Sequence, residues 1–96
     1  MIVGVVELEL RLPENQSLKG KRQVVKSVIA RVQRQFGVAI AEVDALDRWQ
    51  IAVLGVACVS NSAQHAESIL TRVVAYIEDA RLDADVVELT REIVRV

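Results

Sequence analysis

Four cations crowd the ten-residue stretch Leu18-Lys-Gly-Lys-Arg-Gln-Val-Val-Lys-Ser27, and no acid stands among them. Lys19, Lys21, Arg22 and Lys26 are residue types that hold phosphate and other anions. Lys19, Arg22 and Lys26 are spaced by three and four, so they share one face of a helix. Lys21 follows Lys19 closely and is read as widening that face. The free N–H groups of a helix start already favour an anion. The same end of the helix dipole disfavours cations, so this composition sits poorly unless something negative binds. Arg31 and Arg34 continue the pattern, and residues 18–36 contain no Asp or Glu. The chemistry expected is an anion or RNA-phosphate surface, which gives general affinity rather than sequence reading. The alternative is a solvated helix face balanced by Glu7, Glu9 or Glu14.

Other residues offer less. Asp44 and Asp47, with Glu42 nearby, form the one acidic group that could take a cation, but nothing fixes the oxygen geometry that Mg²⁺ demands. A loop role with Arg48 as partner is the expectation, and no metal or cofactor is assigned. His65 is the single histidine, and Glu67, two residues on, does not share its helix face. One histidine without a second ligand or a nucleophile makes a poor catalytic centre. Cys58 lies in an apolar run and reads as a small buried hydrophobe. Gly-rich phosphate loops, zinc spacings and nucleophile elbows are all missing, so the reading is non-enzymatic. RNA-binding sheets stack bases on aromatic residues, yet only Phe36, Trp49 and Tyr76 are aromatic. Phe36 falls on a core stripe and Tyr76 beside one. Trp49 reads as a packing anchor or interface residue.

The elements that position these residues follow from periodicity. Val6, Leu8, Leu10 and Leu12 alternate with Glu7, Glu9 and Arg11, the pattern of a half-buried strand over Ile2–Leu12. Pro13 ends it. Asn15 or Ser17 can cap the next helix. Leu18, Val25, Ile29, Val32 and Phe36 predict a helix to Phe36, and Gly37 stops it. Val38–Val43 reads as a short strand. Trp49–Val59 reads as a long one, with Ala52, Leu54, Val56 and Cys58 on one face and Ile51, Val53, Ala57 and Val59 on the other. Apolar residues on both faces predict a central strand covered on both sides, and Gly55 predicts a bulge or a close approach. Ser60-Asn61-Ser62 reads as the cap of a second helix, and with Asn61 as the cap Gln64 falls at its third position. That helix carries the stripe Ala66, Ile69, Leu70, Val73, Val74 and Ile77. Residues 81–85 read as a turn. Val86–Val96 reads as an edge strand whose blurred alternation suggests a bulge.

The order strand, helix, strand, strand, helix, strand is that of the ferredoxin-like split unit: an α+β, βαββαβ two-layer sandwich, a four-stranded antiparallel sheet with two helices on one face. A chain of 96 residues fits a single domain with its own core. One cysteine permits no internal disulfide, which suits a reducing cytoplasm. No signal-peptide pattern and no long apolar span is evident. Net charge is −1, but residues 1–37 carry +4 and residues 38–96 carry −5, and a local patch can bind what the average repels. The sheet face away from the helices would present Val3 and Val5 beside Glu7, Glu9 and Arg11. A patch of that kind marks an interface, and a two-fold homodimer through the sheets is the simple solution. Trp49 joins the expected interface residues.

Two local patterns carry a family resemblance: Ser17-Leu-Lys-Gly-Lys-Arg22 with Lys26-Ser27, and Ala41-Glu-Val-Asp44 followed by Trp49-Gln50 and Leu54-Gly-Val-Ala-Cys-Val-Ser-Asn61. Together they resemble the YlxP-like family of small bacterial proteins, a domain of unknown function, over Ile2 to about Glu78. The final strand shows no recognisable family pattern. Members are often encoded near translation and ribosome-maturation factors, which implies an RNA or ribosome connection. The expectation is therefore an RNA- or ribosome-associated module working through Lys19, Lys21, Arg22, Lys26, Arg31 and Arg34. A protein-assembly module using the sheet face or edge is the alternative. A ligand domain using the Asp44–Trp49 loop is the remote one.

Overall fold

In a computed structural model the elements are β1 (Ile2–Arg11), α1 (Leu18–Phe36), β2 (Ala39–Asp44), β3 (Ile51–Ser60), α2 (Ala63–Ala80) and β4 (Asp85–Arg95). The structure describes residues 1–80 and 83–96. The turn expected at 81–85 therefore lies partly outside the described residues. The strands form one antiparallel sheet of order β2-β3-β1-β4, and both helices pack on the same side of it. This is the ferredoxin-like βαββαβ sandwich.

The core lies between sheet and helices. Ile2, Val6, Leu8 and Leu10 of β1 meet Ala52, Leu54, Val56 and Cys58 of β3 along one buried face. Val25, Val28 and Val32 close it from α1; Ala66, Leu70, Val73 and Ile77 close it from α2. Each large apolar side chain so buried contributes about 1.5–3 kcal/mol. Ser17 caps α1, its hydroxyl accepting from the Gly20 N–H at 3.0 Å. Gly37 ends it at φ 64°, a left-handed turn suited to glycine, and its N–H donates to the Gln33 carbonyl.

Within the expected capping stretch Ser60-Asn61-Ser62, it is Ser62 that caps α2: its Oγ accepts from the His65 N–H at 3.2 Å. Two details differ from the expectations. β3 starts at Ile51, two residues later than expected: the Gln50 carbonyl still accepts from the Leu12 N–H in the β1–β3 register, and it is the Trp49 carbonyl that turns away, to the Asn15 amide. β3 is central, but its second face is only partly covered: Val53 is buried there, whereas Val59 is 66% exposed.

β4 is the expected bulged edge, with the register slipping opposite Glu7 and Leu8. The slip turns Glu88 toward the helices, where Arg91 gathers it. The Arg91 guanidinium donates to Glu88 through Nε and Nη2, and through Nη1 to Glu67 and Thr71 of α2. Hydrogen bonding to Glu88, more than to Glu67, holds that guanidinium further toward its charged form.

Candidate nucleic-acid interface and the buried lysine beneath it

The cationic run splits in two. Lys21 is wholly buried. It sits four, seven and eleven residues before Val25, Val28 and Val32, at the centre of the face that α1 turns to the sheet. Its ammonium donates to the carbonyls of Ala45 at 2.8 Å and of Leu46 and Ile51, each at 3.2 Å. Those three bonds use all of its protons. Glu42 Oε2 lies 2.9 Å away and supplies the countercharge, but off the line of a hydrogen bond, so that oxygen has an ion pair and no donor. Lys21 is therefore no part of an anion surface. It is the internal post on which the loop between β2 and β3 is hung.

Neighbouring side chains serve the same loop. The Asn15 amide donates to the carbonyls of Ser17 and Trp49. Gln50 Nε2 donates to the carbonyls of Pro13 and Asn15. Gly20 leaves room for this: a Cβ there would lie 2.3 Å from Asn15 Oδ1. Asp44 Oδ1 accepts from the Ala45 N–H, and Glu42 is committed to Lys21. No group of three His, Cys, Asp or Glu side chains with metal-binding spacing occurs among the described residues.

The remaining cations face outward. Lys19, Arg22, Lys26, Arg31 and Arg34 are all exposed. Among the described residues none makes an ion pair. Glu9, one candidate counterion, is taken by Arg11 at 2.7 Å. Lys19, Arg22 and Lys26 lie within about 60° of one another around the axis, and Lys19 to Arg34 spans about 22 Å along it. Arg31 and Arg34 lie further round. Lys19, Arg22 and Lys26 thus make a cationic strip without internal neutralisation, while Arg31, nine residues and half a turn from Arg22, lies on the opposite flank of the helix.

Aromatic stacking has little to work with. Phe36 and Tyr76 are half-buried and pack edge to face at 5.5 Å, with the Arg72 guanidinium over the Phe36 ring. Trp49 is 54% exposed. It lies at one end of the sheet, lining one hollow with Arg11, Pro13, Gln16 and Arg48, so of the five residues Val3, Val5, Glu7, Glu9 and Arg11 on the open face it adjoins Arg11. His65 is exposed, and Cys58 is buried with its sulfur toward the Ala66 carbonyl.

The fold and the site define a small ferredoxin-like domain with a buried lysine post and an outward basic helix. The chain belongs to the DUF503 family, described as proteins of unknown function, whose model matches residues 3–91. That match runs into β4, where no family pattern was legible. The chain is 40% identical over 77 residues to the uncharacterized protein YlxP of Bacillus subtilis strain 168, covering 80% of this chain and 84% of the relative. A de novo designed protein with a ferredoxin fold, solved by solution NMR, aligns with a TM-score of 0.55 at 18% identity, covering 93% of this chain and 84% of the design. Set on the structure, the two stretches that carried the resemblance are the two sides of one cluster. Ser17, Gly20 and Lys21 come from one; Glu42 and Gln50 come from the other.

Proposed function

We propose that this chain is a non-enzymatic binding module of the cytoplasm that engages RNA, ribosomal RNA or the ribosomal subunit among its targets, through the outer face of α1. The observation that carries this reading is the set Lys19, Arg22, Lys26, Arg31 and Arg34: exposed, without acidic partners among the described residues, and on a helix with no acid of its own. Lys21 explains one cation structurally. The other two near the helix start have no structural reason to be there and sit against the dipole, which is the signature of a site built for an external anion. Among the described residues no helix is long and apolar enough to cross a membrane.

The test is binding to small-subunit ribosomal RNA across a salt series, beside an Arg22→Glu/Lys26→Glu variant. Both positions are solvent-facing, so the variant keeps the fold, which a thermal melt checks. Lys21 is excluded from the variant because reversing it would test folding instead. Affinity that falls with salt and falls again in the variant supports the reading; salt-independent or absent binding removes it. A second reading, a protein-assembly module, draws on a different observation: the apolar side chains exposed on the open sheet face.

A further inference from the structure

The sheet face opposite the helices has a relief as well as a composition. Its outermost row is Val94, Val3 and Val59, aligned across β4, β1 and β3, with Val59 the most exposed of them. On the β2–β3 side the next two rows hold only small residues. Ala57 stands opposite Ala39, and Gly55 opposite Ala41. They floor an apolar trough of about 400 Å³, walled by Val5, Glu7 and Thr90. Val43 leans over Gly55, its Cγ1 2.9 Å from where a Cβ would be, and closes the far end. A ridge and a trough of matching chemistry thus lie side by side on one strand, two residues on either side of Ala57.

We propose that this face is covered by a second copy of the chain, with a two-fold axis crossing β3 at Ala57. Such an axis lays Val59 of each copy over the Gly55–Ala57 trough of the other, and the pairing is reciprocal as an isologous contact requires. The sheets then stack face to face in the aligned manner of β-sandwiches. The area is modest: this axis overlaps the seven rows from Leu54 to Ser60, about 400 Å² in flat projection against the roughly 800 Å² that a standard interface removes from each partner, so the dimer expected is a weak one. Charge sets the terms. Glu9 is already neutralised by Arg11. Glu7 is carried into the contact uncompensated, opposite Val3 of the other copy, and Glu92, in the row of Ala57 and Val5, meets its own copy on the axis at the rim. This assembly leaves both basic helices outward and does not depend on the RNA reading.

Sedimentation equilibrium and cysteine cross-linking test it. Dimers are expected, weakened at least about tenfold by Ala57→Arg and tightened by Glu7→Gln, with Arg22→Glu/Lys26→Glu neutral. An Ala57→Cys variant should form a disulfide dimer under mild oxidation. Val43→Cys should not, because the same axis places its two copies about 25 Å apart. Native Cys58 is buried and does not interfere. A monomer up to roughly 1 mM overturns the proposal. So does a dimer indifferent to both Ala57→Arg and Glu7→Gln, which would point to pairing along the β2 edge. Thermal melts of each variant separate a lost contact from a lost fold.

Discussion

A lysine with no exposed surface needs acceptors for three protons and a countercharge, and Lys21 has all four. Taking one partner from a buried ion pair costs more than the pair contributes, because the other charge is left stranded. Lys21→Met is therefore expected to lower stability by about 3–5 kcal/mol in chemical denaturation. Lys21→Met/Glu42→Leu should recover part of that, the remainder being three loop carbonyls without a donor. Equal melts for wild type and Lys21→Met would show that the post bears nothing. Gly20→Ala makes a finer test. Alanine favours a helix by about 1 kcal/mol, yet here its Cβ meets an Asn15 side chain pinned by two hydrogen bonds. The substitution should destabilise wild type and stabilise an Asn15→Ala background. Lys21 also shows why the site was only half legible. Its spacing to Val25, Val28 and Val32 placed it on the buried stripe, but its residue type argued for the surface, since lysine is almost never fully buried unless paired. The pairing comes from Glu42 and from backbone carbonyls 24 to 30 residues away, which one-dimensional spacing does not reveal.

Helices and strands were read with more success, because their signals are local. The α1 stripe, its serine cap and its glycine stop all act within a few residues of one another, and the helix runs over the expected span. β3 begins two residues late because the Trp49 carbonyl is spent on the Asn15 amide, while the Gln50 carbonyl keeps its ladder bond to Leu12. Apolar residues on both faces of β3 predict cover on both sides; within the chain the second face is covered at Val53 and open at Val59. β4 carries the element-scale prediction. Arg91 fastens this outer strand to α2 through Glu67 and Thr71 while holding Glu88. Its side chain is 19% exposed, so the geometry outweighs that of a free surface pair. Arg91→Gln is expected to cost about 1 kcal/mol. It should also raise amide exchange in β4 ahead of β1 and β3. Uniform exchange across the sheet would show that β4 is held by its ladder alone.

At the scale of the whole molecule the two layers present opposite characters. The helical layer shows solvent an unneutralised cationic strip. The sheet shows an apolar face crossed by the acids of an inner strand, Glu7 and Glu9 of β1. An average net charge of −1 hides this division, which the charge split between residues 1–37 and 38–96 had already hinted at. The salt-series binding of small-subunit ribosomal RNA by wild type and Arg22→Glu/Lys26→Glu tests the central claim most directly. With three to five phosphates neutralised, the log–log slope should lie at about −2 to −4, and the variant should lose affinity and shallow the slope by between one and two. A flat slope, or a variant that binds as wild type does, would contradict the account and leave the outer face of α1 a solvated surface.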